Sequence, residues 1–479
     1  MTSGSLEDII AHTKAYGFLF PSSEIYGGIQ AVYDYGPWGA ALKERVKTLW
    51  MDTMLKHHTK IVGLDAAIFM HPKVWEASGH LEQFDDLFID SKESQKRYRV
   101  DHMVEEYIQT HAVSEDFREK WQRAFAGGDL DQILHFLKEE AILEVQEKGN
   151  ATNWTAIRRM NLMFPTQLGA QAGNQDTAYL RPETAQGIYV NFLQTQKSLR
   201  LSLPFGIAQI GKAFRNELIA RQFIFRMREF EQMEMQFFVP PDEEKTWFSF
   251  WKEARRQWYV ALGIPEKNLQ LMPHEKLAHY ASDAVDIVYD FPFGFKEVEG
   301  IHARGNFDLS QHERASSKKI RYFDSRRKTS YIPHVVESSV GLDRLCLMIL
   351  CHAFVRENVQ GKERVYLRFP PYLAPVQVAI FPLVAKEGLP ERAQRLRDEL
   401  KYEFAVFYEE AASIGKRYTR QDLIGTPYCV TIDHETLADE KVTLRDRDNM
   451  KQERVPISKI KDILKVHFST QSFWNSLPA

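Results

Sequence analysis

The 479-residue sequence predicts an α+β protein of more than one domain, and three stretches carry that expectation. Gly211–Phe238 reads as two strands joined by a charged loop. Residues 85–150 change character and become charged and mostly helical. Beyond Arg368 a Pro-rich joint leads into alternating strand and helix signals, the rhythm of a small α/β domain.

The hairpin is the most informative of the three. Arg215 and Glu217 are two apart and share one face of a pleated strand. In the second strand Phe230, Gln232, Glu234 and Gln236 share a face, while Glu231, Met233, Met235 and Phe237 share the other. A face of Gln, Glu and one Phe is either a solvated side of an antiparallel sheet or the floor of a site. The joining loop carries Arg221, Arg226 and Arg228, so cations precede carboxylates within one hairpin.

Bulk composition narrows the class. A hydrophobic content of 44% supports a large core, and the length suggests about two to four domains. The formal charge of −3 offers no global basic field, so any RNA site must be a local cluster. Cys346, Cys351 and Cys429 form no CxxC pair, which argues against a disulfide framework and against structural zinc. The N-terminal segment lacks a basic region followed by an apolar run. Val340–Val355 is interrupted by Asp343 and Arg344 and is too short to span a bilayer. The expectation is a cytoplasmic protein with no membrane partner.

Along the chain, residues 6–17 read as a helix with Ser5 as N-cap and Gly17 as stop. Ile25–Gly36 has the Gly, Tyr and β-branched content of a segment entering a sheet. Pro37 opens a long helix over 38–58, since proline suits the first turn. Leu42, Val46, Leu49, Trp50, Met54 and Leu55 mark its apolar face. Gly127-Gly128-Asp129 is a turn between two helices of the insertion. Leu180–Gly187 enters a helix through Thr184 and Gln186, with Glu183 beside its positive end. Trp247–Leu262 is an amphipathic helix, Tyr280–Gly300 holds strands, His302–His312 is a polar loop, and Ser338–Glu357 is a helix. In the last domain 376–384 is a buried strand, 391–413 a charged helix, 427–433 and 441–448 strands, and 457–467 a closing helix.

Two motif-like stretches are set aside. Gly206–Lys212 approaches a phosphate-binding loop but lacks the final Ser or Thr and runs into a strand. His274 and His279 are five apart and do not share a helix face. The sixteen histidines show no ligand spacing, so no protein-built transition-metal site is expected.

Three features then combine in order. They are the helix after Pro37, the pair Phe214-Arg215-Asn216-Glu217 with Arg228-Glu229-Phe230, and Gly341-Leu342-Asp343-Arg344 at a helix start. An arginine in a first helical turn opposes the helix dipole and calls for an anion, either Asp343 or a bound phosphate. The triplet resembles the three signature motifs of class II aminoacyl-tRNA synthetases. RPETAQG (181–187), REFEQMEMQFF (228–238), ARGNFDL (303–309) and ESSVGLDR (337–344) narrow the resemblance to the single-chain, dimeric glycyl-tRNA synthetases. It covers nearly the whole chain. Ser338 departs from the proline more familiar in that motif.

The resemblance implies an antiparallel catalytic sheet flanked by helices, split into 1–84 and 156–370. Between them lies a helical insertion at 85–155, and 371–479 is an anticodon-binding α/β domain. It implies attachment of glycine to tRNA(Gly) through glycyl-adenylate, by a homodimer using the helix of 38–58 at its interface. ATP enters with Mg²⁺, and zinc is not expected. Arg215, Glu217 and Arg344 become the catalytic residues. Arg215 grips the α-phosphate, Glu217 lies near the adenine, and Arg344 holds the γ-phosphate end. Phe230 stacks under the adenine. Asn216, Phe225, Arg226, Met227, Arg228, Glu229, Glu297, Val298, Gly341, Leu342 and Asp343 complete the ATP site. Glycine falls among Glu183, Glu234 and Glu337, with Arg304 and Ser339 closing the pocket against any Cβ. Arg99, Phe230, Glu231, Gln232, Met233, Ser338, Val340 and Gly341 are the remaining glycine contacts. The competing reading is a non-catalytic relative that binds nucleic acid. Such a protein should have lost some of these arginines or carboxylates.

Overall fold

Strand pairing organises the molecule, and the parity of each strand decides what it presents. The computed structural model describes residues 4–146, 153–169, 176–217, 222–274, 277 and 281–478. Arg221 and His279 lie outside the described residues. The chain forms two compact units, one of Met1–Ile68, Glu183–Ala213 and Gln222–Ala479, the other of Phe69–Pro182 and Phe214–Arg221. The second unit is wider than the 85–155 stretch singled out from sequence.

The first unit is built on seven strands, β1 (Ile61–Gly63), β2 (Phe205–Phe214), β3 (Glu229–Val239), β4 (Leu269–Pro273), β5 (Asp283–Phe291), β6 (Gly294–Gly305) and β7 (His334–Gly341). Their order is β4-β5-β6-β7-β3-β2-β1. The pairs β4/β5, β5/β6, β6/β7 and β3/β7 are antiparallel, and β1/β2 is parallel. Gly206–Lys212 lies inside β2, which removes the phosphate-loop reading.

Helix α1 (Leu6–Ala15) starts with a reciprocal capping box between Ser5 and Asp8. Helix α2 (Pro37–Asp52) begins at the proline. Its third residue, Gly39, admits no side chain, because a Cβ there would lie 1.9 Å from the Phe18 carbonyl oxygen. Leu42, Val46, Leu49, Trp50 and Met54 are buried as the periodicity predicts, but Leu55 is exposed. The helix widens into a π turn at Thr53–His57, and the extra residue per turn rotates Leu55 off the apolar face. Ile25–Gly36 supplies only Tyr33–Tyr35 as strand, paired with Leu19–Pro21 outside the main sheet.

The sheet's back face packs Met233, Met235, Phe237, Val336, Val340, Ile301 and Ala303 into the largest core. Helices α4 (Glu244–Ala261) and α6 (Leu342–Ala353) contribute Trp251, Trp258, Leu345 and Met348 to it. Glu299 is buried in that face. It accepts from Arg255 Nε at 2.7 Å, Tyr259 Oη at 2.9 Å and Ser338 Oγ at 2.6 Å. Four of its acceptor sites are met once the second Arg255 contact at 3.2 Å is counted. Glu299→Gln leaves the Arg255 charge buried without its partner, so we expect a loss of about 3–5 kcal/mol. A thermal melt of the variant superimposing on the native curve would refute that role.

The front face carries helix α3 (Ala185–Leu199) over its far end, where Ile188 and Phe192 pack with Phe205, Ile207, Phe238 and Val335. Helix α5 (Phe307–Ser316) adds Leu309. The expected polar loop of 302–312 is therefore strand to Gly305 and helix from Phe307. Likewise the helix expected from Ser338 starts only at Leu342, after β7.

The C-terminal segment carries its own core around Val378, Ile380, Leu396, Val430, Ile432 and Leu464. Strands β8 (Val378–Pro382), β9 (Val406–Tyr408), β10 (Tyr428–Ile432), β11 (Lys441–Asp446) and β12 (Gln452–Pro456) run in the order β9-β8-β10-β11-β12. The helix predicted at 391–413 is Leu389–Leu400 only. The strand of 406–408 and the helix Ile414–Ile424 take over from it.

The second unit is helical, as expected, through Val100–Thr110, Glu115–Gly127, Leu130–Glu139 and Ile142–Gln146. It also holds a three-stranded antiparallel sheet, Arg97–Arg99 beside Asp85–Asp90 beside Arg158–Asn161, which the charged composition concealed. Among the described residues no helix is long and apolar enough to cross a membrane.

Candidate active site

Strand register places one polar patch on the front of the first unit's sheet. Glu234 in β3 stands opposite Ser339 in β7, and Gln236 stands opposite Glu337. Glu337 in turn faces His302 in β6. Glu234, Gln236 and Glu337 are all buried.

Glu337 is saturated with donors. Gln236 Nε2 donates at 2.7 Å, Arg304 at 3.1 Å, and His302 Nδ1 lies 2.7 Å away. Arg304 is locked in turn by Asp308, with Nε and Nη2 donating at 2.9 and 3.0 Å. Burial alone would raise the Glu337 carboxyl, but the Arg304 cation and His302 hold it down to about 2.

Glu234 is the opposite case. It accepts from the hydroxyls of Thr184 and Ser339, the latter at 2.8 Å, and among the described residues it has no ion pair. Burial, then the neighbouring charges of Glu337 and Glu183, push its carboxyl up to about 8. Thr184 stands at the N-cap position of α3 but makes no side-chain cap bond, because its hydroxyl is spent on Glu234. Glu183 accepts from Gln186 Nε2 at 3.0 Å, and His312 holds the other end of Gln186 at 2.8 Å. A cation brought to Glu234 would relieve the repulsion among these carboxylates.

Parity divides the remaining residues of these strands. Gln232 shares the front face and accepts from the Thr184 backbone N–H at 3.2 Å. Met233, Ser338 and Val340, expected beside glycine, turn their side chains to the back. Met233 and Val340 join the core, and Ser338 bonds Glu299. Glu231 also faces away and pairs with Lys43 at 2.6 Å and Lys47 at 3.4 Å. Phe230 is half-buried at the start of β3.

A second group lies at the start of α6. Asp343 does not serve Arg344. It accepts from Tyr35 Oη at 2.6 Å, Lys43 Nζ at 2.8 Å and the Glu231 backbone N–H at 2.8 Å, all toward the interior. Arg344 points the other way. It pairs with Glu297 at 2.9 Å, donates to the Phe225 carbonyl at 3.2 Å, and lies 4.4 Å over the Phe225 ring. Asp343 is therefore not the anion that the place of Arg344 in the first turn calls for, and Glu297 pairs with Arg344 here. Met227, Val298 and Leu342 are core side chains. Glu229 pairs with Lys212, and the Arg228 backbone N–H donates to the Ala31 carbonyl at 2.9 Å. Arg226 follows the short turn Phe223–Phe225, and Gly341 closes β7.

The second unit holds the remaining candidates. Arg215 Nε donates to the Pro182 carbonyl at 3.0 Å, and its guanidinium lies 5.3 Å over Phe84. The Asn216 N–H donates to Leu162 at 2.8 Å, and the Glu217 N–H to Arg215 at 2.7 Å. Arg99 is held by Asp101 at 2.6 Å and by Asp86 at 3.1 Å.

Thr184, Gln186, His302, Asp308 and His312 were not named as site residues from sequence. Period two from Arg304 reaches His302, and the i, i+4 step reaches Asp308. Those two signals were available.

Comparison with known proteins identifies the two domains. Residues 169–353 match the family described as the tRNA synthetase class II core domain (G, H, P, S and T), and residues 377–467 match the anticodon binding domain. The chain is 46% identical to the glycine–tRNA ligase of Chlorobaculum tepidum, over 96% of this chain and 99% of that one. Against the ligase of the same name from Treponema denticola the identity is 46%, over 96% and 97% of the two chains. For that of Staphylococcus haemolyticus it is 45%, over 96% and 98%. A prolyl-tRNA synthetase structure from Cryptosporidium parvum superposes with a TM-score of 0.59 at 16% identity, covering 98% of this chain and 76% of that one, which speaks to the fold alone.

Proposed function

The chain belongs to the glycine–tRNA ligase family, and from that premise we propose that Glu234, flanked by Glu183 and Glu337, receives the ammonium group of glycine. The enzyme joins glycine to tRNA in two steps. Glycine's carboxylate attacks the α-phosphate of ATP and pyrophosphate leaves. The 3′-terminal ribose hydroxyl of tRNA(Gly) then attacks the glycyl carbonyl and AMP leaves. The carboxylate is already ionised at neutral pH, so the first step requires no general base. It requires in-line positioning and donors aimed at phosphate charge. The non-catalytic alternative loses its ground, because every arginine and carboxylate it should lack is present.

The observation that carries the reading is the unequal treatment of the two carboxylates. Glu337 is ionised and spent on protein partners, whereas Glu234 is buried beside like charge and short of a cation. Glycine's ammonium supplies that cation. Arg304 is held by Asp308 and Glu337, and Ser339 by Glu234, so both are rigid walls. A wall that cannot yield rejects a Cβ by collision, the only discrimination open to a site for the smallest amino acid.

ATP enters as its Mg²⁺ complex. Arg215 serves the α-phosphate, with Asn216 and Glu217 beside it. Phe225, Arg344, Glu297 and Phe230 form the nucleotide end, and Arg226 and Arg228 lie along the phosphates. Arg99 is a further substrate contact. The 377–467 segment takes the tRNA anticodon arm. We propose a cytoplasmic homodimer with the exposed side of α2 at its interface. Sedimentation at micromolar concentration should give twice the 55.8 kDa chain mass, and a monomer there would remove that assignment.

The test of the reading is glycine-dependent ATP–pyrophosphate exchange, and pH gives it a sharper form. Below about 8 Glu234 holds a proton that must leave before an ammonium group can bind. The Michaelis constant for glycine should therefore rise as pH falls below about 8, by up to about tenfold per unit. A flat profile between about pH 6.5 and 8 would take Glu234 out of the ammonium site. Absence of exchange with glycine, ATP and Mg²⁺ would sink the reading altogether.

A further inference from the structure

We propose that His274, Asp286 and His302 form a binding site for one divalent ion of the zinc class, on the front of the sheet next to the carboxylate cluster. Along the chain these residues are far apart, which is why their spacing suggested no site. Strand pairing brings them together. His274 directly follows β4, and its backbone N–H donates to the Ala284 carbonyl of β5 at 3.1 Å. Asp286 in β5 stands opposite Gly300 in β6, and His302 is two residues further along β6. One ligand atom from each lies within 4.8 Å of the other two.

Three features distinguish the group from an ordinary surface ion pair. His274 Nε2 is buried and 2.9 Å from Asp286 Oδ1, yet it makes no hydrogen bond among the described residues. At that separation both ligand atoms are close enough to share one ion. His302 uses Nδ1 toward Glu337 at 2.7 Å, which leaves Nε2 for the shared point. Metal-bound histidines are oriented in this way by a carboxylate on the second nitrogen. Finally, the floor beneath them is Gly300, where a Cβ would lie 2.8 Å from His302 Cε1, 3.2 Å from its Nε2 and 3.5 Å from Asp286 Oδ1.

Two imidazoles and one carboxylate favour zinc-class ions over Mg²⁺, which prefers an all-oxygen octahedron. Three protein ligands leave the fourth tetrahedral position to water. The ion would fix the tautomer of His302 and so the direction of the hydrogen bond into Glu337. The site stands on its own geometry and does not rest on the ligase reading.

The experiment is titration of the metal-stripped, full-length chain with Zn²⁺ by calorimetry, and with Co²⁺ by visible absorption. One Zn²⁺ per chain and a tetrahedral Co²⁺ spectrum are expected. His274→Ala and Asp286→Asn should each weaken Zn²⁺ binding at least about tenfold, in line with ligand-set losses elsewhere. Independently of any variant, Zn²⁺ should protect His274 of the native chain from diethyl pyrocarbonate, read by peptide mass. No saturable binding, affinity unchanged in both variants, or unprotected His274 at saturating Zn²⁺ would each overturn the proposal.

Discussion

Arg215→Ala should lower glycine-dependent pyrophosphate exchange by about 10²–10³-fold, with the loss in kcat and little change in the glycine Michaelis constant. The guanidinium stem is fixed by the Pro182 carbonyl at 3.0 Å and by the face of Phe84. In the proposed role, a donor held in place before the reaction would stabilise the charge that develops at the α-phosphate without reorganising. Lysine does not replace it, because an ammonium group has neither the planar fork nor the stacking surface. Arg215→Lys should therefore stay far below native turnover. A kcat within about threefold of native in the alanine variant would remove Arg215 from the chemistry.

Glu234→Gln should act in opposite directions on two measurements. It removes the charge that meets the ammonium group, so the glycine Michaelis constant should rise by about 10²-fold, the size of a buried charged hydrogen bond lost. At the same time it should stabilise the ligand-free protein at alkaline pH. The sign follows from linkage. Glu234 has a folded pKa of about 8 against an ordinary value of 4.5. The unfolded chain therefore loses its proton first, and stability falls as pH rises from about 4.5 to about 8. Glutamine cannot ionise and escapes that loss. The variant should melt above the native protein at about pH 8.5, with the gain fading toward about pH 4.5. A variant that melts lower at pH 8.5 and keeps its glycine Michaelis constant would mean that Glu234 is a structural carboxylate only.

Much of this site is legible in the sequence because strand parity is a local rule. Counting puts Phe230, Gln232, Glu234 and Gln236 on one face, and the pairing with β7 bears this out for Gln232, Glu234 and Gln236. The same count separates Ser338 from Glu337 and Ser339. A motif read as a unit hides that split, and Ser338 in fact turns its hydroxyl to Glu299 on the back of the sheet. What counting cannot supply is the partner across the fold. Asp343 and Arg344 are adjacent, yet one turns inward to Lys43 and Tyr35 and the other outward to Glu297 and Phe225. No spacing rule connects residue 43 to residue 343. The boundaries that moved did so for local reasons. Gly27 and Gly28 at positive φ hold Ile25–Gly36 in a turn until Tyr33. Gly305, also at positive φ, ends β6 and lets Asn306 start a helix.

The parallel pairing of β1 with β2 has a consequence for how the protein is made. Ile61–Gly63 leaves the ribosome long before Phe205–Phe214, its partner, and longer still before β7 closes the sheet. At cellular elongation rates the N-terminal helices and β1 wait on the order of tens of seconds for their neighbours. In that interval Phe69–Pro182 emerges whole, with its own core and its own sheet, lacking only residues 214–221. Synthesis therefore presents the inserted unit as a nearly finished body while the catalytic sheet is still a loose end. By that order of emergence it is the first sixty residues, not the insertion that follows them, that wait longest for their partners.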